Sequence, residues 1–136
     1  MGTRKILIID DDSSVRECYG RLFRREGYDP RLEASAISVE RNLEEHRDAT
    51  LVIMDYRMPG INGLELLRRL REREFGAAVI MVTAFATPQM FQEARRLGVC
   101  RVLAKPVDVS QLLRAVEQCL QPQGSAMAGE TDQLEV

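Results

Sequence analysis

The stretch Ile6–Ser14, ILIIDDDSS, ends an apolar run with three adjacent carboxylates, Asp10, Asp11 and Asp12. Two unit charges ~5 Å apart repel by roughly 3 kcal/mol at an effective dielectric near 20, so this crowding calls for a compensating partner. Three further polar residues each follow an apolar run: Asp55 after TLVIM, Thr83 after AVIMV and Lys105 after RVLA. Clustered carboxylates suit a hard divalent cation, and Mg2+ is bound through a few carboxylates together with water and phosphate oxygens. Lysine adds a compact positive charge and threonine a hydroxyl donor. Mg2+, Lys105 and Thr83 could together hold the three oxygens of a phosphoryl group. Asp55, placed between them, is then the candidate nucleophile, because carboxylates can form aspartyl-phosphates.

Residues so far apart in the chain meet only if the elements before them lie side by side. Lys5–Ile9, Thr50–Met54, Ala78–Val82 and Arg101–Ala104 read as strands. Their apolar runs are nearly continuous, the pattern of a parallel sheet covered on both faces. Helical patterns lie between them. Val15, Tyr19, Leu22 and Phe23 form the stripe of a first helix stopped by Gly27, and Leu64, Leu67 and Leu70 mark the third. A fourth opens at Thr87-Pro88 and ends before Gly98; a fifth begins at Asp108, with Gln111 at capping-box spacing. The poorest strand, Asp29–Glu33 (DPRLE), carries Pro30 and charges and belongs at an edge, followed by a helix around residues 38–46. Five β-α units of this kind predict a flavodoxin-like (βα)5 three-layer α/β sandwich, strand order 2-1-3-4-5. In such sheets ligands bind beyond the carboxyl ends of the strands, where Asp10, Asp11, Asp55, Thr83 and Lys105 all fall. Residues 4–121 form the expected domain. Residues 122–136 lose all periodicity and read as a disordered tail or linker stub.

Four pieces, ILIIDDDSSVR, LVIMDYRMPGINGLELL, MVTAF and LAKPV, occur in order and at a spacing that resembles the response-regulator receiver domain of two-component signalling, a CheY-like superfamily. The resemblance covers residues 4–121. It implies that Asp55 is the phosphoacceptor and that Asp10 and Asp11 bind Mg2+ with Asp55 and the backbone carbonyl of Arg57. Asp12 is left as a helix-start acid favoured by the helix dipole. Thr83 and Lys105 take the switch and counter-charge roles, Lys105-Pro106 resembles the family's cis peptide, and Pro59, Gly60 and Gly63 match its loop, where glycine permits positive φ. The implied donor is a histidine kinase or histidine phosphotransfer protein, and the implied protein a receiver that catalyses its own phosphoryl uptake and loss rather than a dedicated enzyme. Two positions depart from the family pattern: Val102 stands where an aromatic residue is common, three before the lysine, and Phe85 where a small or polar residue is common, two after the threonine.

A chain of 136 residues with net charge −2, 45% hydrophobic and 29% charged residues, fits one globular domain with no general attraction to nucleic acid or membrane. No apolar run is long enough to span a bilayer and no signal-peptide pattern opens the chain, so a cytoplasmic location is expected. Cys18, Cys100 and Cys119 have no CxxC spacing and read as buried reduced thiols. His46, the sole histidine, reads as a surface residue of the second helix. Arg68–Glu74, RRLRERE, reads as a solvated face with i,i+4 pairs. A competing reading takes Asp10, Asp12 and Ser14 as the D-x-D-x-S of a haloacid-dehalogenase-type Mg2+ phosphatase, with Asp10 as nucleophile. A third is a binding module that is never phosphorylated, against which the complete acid–threonine–lysine set argues.

Overall fold

A computed structural model describes residues 3–121; residues 122–136, expected to be a tail, lie outside them. Five strands, β1 (Lys5–Ile9), β2 (Asp29–Glu33), β3 (Leu51–Asp55), β4 (Ala78–Thr83) and β5 (Val99–Ala104), alternate with helices α1 (Ser13–Arg25), α2 (Ala36–Arg41), α3 (Gly63–Glu72), α4 (Pro88–Arg96) and α5 (Val109–Leu120). The expected second helix divides into α2 and a 3-10 turn, Leu43–His46. The sheet is parallel throughout in the order β2-β1-β3-β4-β5. β2 lies at the edge, as its Pro30 requires.

Successive strand residues point to opposite faces, and that alternation divides the core in two. Leu7, Ile9, Val52, Met54, Val79, Met81 and Val102 pack with Val39 of α2, the leucines of α3 and Ala94 of α4. Ile6, Ile8, Leu51, Ile53, Ile80, Val82 and Leu103 pack with Leu22 and Phe23 of α1 and Leu112 and Val116 of α5. β1, β3 and β4, buried on both faces, are apolar almost without interruption after their first residue, and each run ends in a polar residue at or just beyond the strand's last position. The helices start on side-chain caps: Asp12 for α1, Ser35 for α2, Asn62 for α3, Thr87 with Pro88 for α4, and Asp108 for α5.

Three expectations are corrected here. Cys100 and Cys119 are joined in a disulfide and Cys18 is an exposed thiol; the return from β5 to α5 brings together two cysteines that sequence spacing leaves unrelated. The basic run of α3 makes its ion pairs with other elements, Arg68 with Glu93 of α4 and Arg69 with Glu40 of α2. Arg71 is half-buried and donates to the carbonyls of Phe75, Ala77 and Leu97, holding the turn between α3 and β4.

His46 is the third correction: it is 5% exposed, and its Nε2–H donates to Glu33 Oε2 at 2.7 Å. Asn42 Nδ2 donates to the same oxygen at 3.0 Å. Burial pushes the Glu33 carboxyl up, but hydrogen bonds from His46, Ser38 and Asn42 outweigh it and hold the group below its usual range. Glu33→Leu should therefore cost about 1–3 kcal/mol at neutral pH by stranding buried donors. A carboxylate with a depressed folded-state pKa contributes fully above its unfolded value, ~4.3, and loses that contribution as pH falls through the folded one. In urea melts, the gap between the parent protein and Glu33→Leu should be full at neutral pH and shrink in acid below about pH 4.

Candidate functional site

The parallel register determines what meets at the carboxyl edge of the sheet. Ile9 pairs with Met54, which sets Asp10 beside Asp55; Asp55 pairs with Val82, and Thr83 with Ala104, which sets Thr83 beside Lys105. All five expected side-chain positions lie at this edge. Asp10 and Asp55 are 5% and 6% exposed, Asp11 is exposed, and one carboxylate oxygen from each lies within 4.8 Å of the other two. Lys105 Nζ donates to Asp55 Oδ2 at 2.9 Å. Asp55 Oδ1 accepts the Arg57 N–H at 3.1 Å, which fixes the carboxylate plane and turns the chain out of β3. Lys105-Pro106 is cis.

Asp10 is itself positioned from three sides. Its Oδ1 accepts the Asp12 N–H at 2.9 Å, its N–H donates to the Glu33 carbonyl at 3.2 Å, and its carbonyl accepts Arg16 Nη1 at 2.7 Å. Asp12 is turned away to cap α1, accepting from Ser14 and Val15. The acidic triplet thus divides its work: the first two acids face the site and the third ends a helix.

Burial pushes the Asp10 carboxyl above its ordinary value, and the charges of Asp55 and Asp11 add to this against the Asp12 N–H and Lys105. Burial pulls the Lys105 ammonium down, but the hydrogen bond and charge of Asp55, with the charge of Asp10, outweigh it and leave it above the ordinary lysine value. Three acids facing one lysine leave excess negative charge in a partly desolvated spot. A divalent cation held by Asp10, Asp11 and Asp55 would relieve it, and an all-oxygen donor set fits Mg2+.

The Thr83 side chain is buried, and its hydroxyl is engaged by its own loop, accepting the Phe85 N–H at 3.1 Å and donating to the Phe85 carbonyl at 3.3 Å. Phe85 itself is 72% exposed, and Arg57 is exposed on the neighbouring loop. Val102, in the position where an aromatic was anticipated, is fully buried under the α3–α4 side of the sheet.

The loop after Asp55 adds a constraint that sequence reading assigned to the wrong cause. Gly60 has a positive φ of 94°. Gly63, the first residue of α3, has none; a Cβ there would lie 2.8 Å from the Asp55 carbonyl oxygen and 3.1 Å from Tyr56 Cα. Its N–H also donates to the Tyr56 carbonyl at 2.7 Å. Glycine is needed because α3 starts against the backbone of Asp55 and Tyr56. Gly63→Ala should cost about 1–3 kcal/mol through overpacking, read as a lowered urea midpoint, and should broaden the amide signals of residues 55–57.

A model of the response regulator receiver domain matches residues 6–117. Sporulation initiation phosphotransferase F of Bacillus subtilis (strain 168) is 32% identical over 120 residues, which are 88% of this chain and 96% of that protein. Transcriptional regulatory protein PdtaR of Mycobacterium tuberculosis (strain CDC 1551 / Oshkosh) is 31% identical over 84% of this chain, but that match spans only 55% of its own length. Among solved structures, a CheY-like response regulator receiver domain protein from Methanospirillum hungatei JF-1 superposes with a TM-score of 0.81 at 27% identity, covering 88% of this chain and 94% of that one.

Proposed function

Because the chain belongs to the response regulator receiver domain family, a phosphoacceptor switch of two-component signalling, we propose that Asp55 is the residue that takes the phosphoryl group. The observation that carries this is the placement of the Asp55 carboxylate between the Asp10–Asp11 pair and Lys105 Nζ. A histidine kinase or histidine phosphotransfer protein is the donor. An Asp55 oxygen attacks the phosphorus of its phospho-histidine as the P–N bond breaks, and the imidazole leaves with the bonding pair and takes up a proton. Asp10, Asp11, Asp55 and the Arg57 carbonyl would hold Mg2+, which when bound would supply positive charge that lowers repulsion between the carboxylates and the phosphoryl oxygens. Lys105 supplies the second positive group and stays charged throughout the physiological range. Residues 4–121 are the receiver segment of this switch, placed in the cytoplasm; phosphorylation changes the surface it offers to an unidentified output partner or to an output domain outside this segment, with no direct binding of the segment to nucleic acid or membrane. Among the described residues no helix is long and apolar enough to cross a membrane.

The switch follows from where the Thr83 hydroxyl is held. Its hydrogen bond to the Phe85 carbonyl competes with one to a phosphoryl oxygen, which is charged and roughly twice as strong an acceptor. Uptake of about −1.5 to −2 charges at Asp55 therefore draws Thr83 toward the phosphoryl group and frees the loop before α4. The test is transfer from acetyl phosphate: one phosphoryl group per chain in Mg2+, none in excess chelator. Label that persists in chelator would contradict the proposed metal role.

The lifetime of the phosphorylated state depends on the side chains that flank water's approach. Phe85 is apolar and cannot orient a water, and Arg57 is long enough to cover phosphoryl oxygens. Phe85→Glu and Arg57→Asn together should shorten the half-life of phospho-Asp55 roughly tenfold, about 1.4 kcal/mol in the barrier. The decay is followed after donor removal in excess Mg2+; an unchanged half-life would show that neither side chain gates water.

A further inference from the structure

The disulfide lies away from the phosphoryl chemistry, and its surroundings are specific. Between Val79 and Ile80 the register of β4 against β5 slips: Val79 pairs with Val99 and Ile80 with Arg101, so Cys100 is the extra residue of a bulge. A bulge re-aims side chains, and here Cys100 packs on the face covered by α5. Cys119 lies in the last turn of α5, with a Cα–Cα separation from Cys100 of 6.1 Å, inside the range a disulfide spans. The neighbouring pair is also tied, since Arg101 donates to the side-chain oxygen of Gln118. Two consecutive residues of β5 thus hold two consecutive residues of α5. Cys119 also lines an open groove of about 530 Å³ at the amino edge of the sheet, together with Arg4, Arg47 and Thr50. Arg47 shares its charge with Glu44, and Arg4, also lining the groove, is exposed.

We propose that Cys100 and Cys119 are a redox-reversible modification site, opened and closed by exchange with an anionic low-molecular-weight thiol that approaches Cys119 through the groove beside Arg4 and Arg47. The inference rests on the cytoplasmic reading in one respect: in a thiol-buffered compartment, protein disulfides are in the main transient or redox-sensing ones. For opening, the thiolate attacks Cys119 Sγ and the S–S bond breaks, leaving a mixed disulfide and the Cys100 thiolate. A second thiolate attacks the small molecule's sulfur in the mixed disulfide, releasing the Cys119 thiolate and a small symmetrical disulfide. Two protons from the two small thiols end on Cys100 and Cys119, and two electrons pass to the protein. Closing is the reverse, with the small disulfide as oxidant. The cations of the groove raise the local concentration of an anionic reagent. Closed, the bridge anchors the end of α5 to the start of β5, the strand that Lys105 follows directly.

The test uses the full chain with Cys18→Ser, so that the exposed thiol does not contribute. It is equilibrated in mixtures of reduced and oxidised glutathione, and free thiols are counted by alkylation and mass. The bridged fraction should follow the ratio and reverse completely, and the reduced form should melt roughly 10 °C lower, as expected for opening a loop of this length. Arg4→Gln with Arg47→Gln should slow exchange with glutathione several-fold and leave exchange unchanged with cysteamine, whose attacking thiolate carries no net charge because its ammonium group balances it. Two alkylatable thiols in excess oxidised glutathione, or a bridge that resists reduced glutathione in the folded protein, would overturn the proposal. Equal slowing with both reagents would overturn the groove as the route. None of these readouts involves phosphoryl uptake, so their failure is separable from failure at Asp55.

Discussion

Asp55→Asn should lose phosphoryl uptake from acetyl phosphate by at least about 10³-fold, about 4 kcal/mol in the barrier. An amide keeps the shape of the side chain and can still accept the Arg57 N–H that now meets Oδ1 at 3.1 Å. It lacks the anionic lone pair that attacks phosphorus, so the loss is one of chemistry with the fold intact. Asp10→Asn separates the metal from the acceptor. It leaves Asp55 in place and removes one carboxylate of the three-acid cluster, so uptake should persist but require a higher Mg2+ concentration. Labelling rates across a Mg2+ series give both results. Retained labelling of Asp55→Asn, with loss in Asp10→Asn, would be the pattern of a phosphatase-type nucleophile at Asp10.

Lys105→Met should have the second largest effect, in two opposite directions. Lys105 Nζ now occupies Asp55 Oδ2 at 2.9 Å, and its removal uncovers that oxygen and leaves three acids without a counter-charge. Mg2+ affinity should therefore rise, read by calorimetric titration. Phosphoryl uptake should fall about 10²-fold, because a preorganised charge facing the developing phosphoryl charge is worth roughly that much. The response to beryllofluoride should also vanish around residues 105–108, since no ammonium is left to be drawn toward the bound group. The lysine's raised pKa adds a pH signature. A cation whose folded-state pKa lies above its unfolded value contributes stability fully below the unfolded value and loses it as pH rises through the folded one. The stability contributed by this contact should therefore persist through neutral and mildly alkaline pH and fade only above the ordinary lysine range.

What was legible in the sequence was whatever has a local period or lies at the end of one. β1 and β2 fall on Lys5–Ile9 and Asp29–Glu33 as read, and Pro30 correctly marks an edge. Continuous apolar runs imply burial on both faces, and parallel pairing then makes the residue after each run a neighbour of the others; Asp10, Asp55, Thr83 and Lys105 were found by that reasoning alone. Relations that depend on packing between distant elements leave no local period. β5 starts at Val99, two residues earlier than read, because the charged Arg101 inside the strand separates Val99 and Cys100 from the apolar run that follows. His46 carries no apolar signal, yet the 3-10 turn returns it under β2 to meet Glu33. The charges of α3 suggested pairs along its own helix, whereas Glu40 and Glu93 on flanking helices take them. Gly63 could be recognised as a required glycine, but its cause, a helix start against the Asp55 carbonyl, needs three-dimensional distances.

The assignment of Asp55 is tested most directly by locating the phosphoryl group on the unmutated chain. Protein labelled by acetyl phosphate in Mg2+ is treated with borohydride, which reduces an acyl phosphate to an alcohol and so converts the acceptor aspartate to homoserine. Peptide mass spectrometry then reads which position has changed. Homoserine at position 55, with Asp10, Asp11 and Asp12 intact, is the expected result. Homoserine at position 10, or no conversion at position 55 in a chain that carries label, would contradict it.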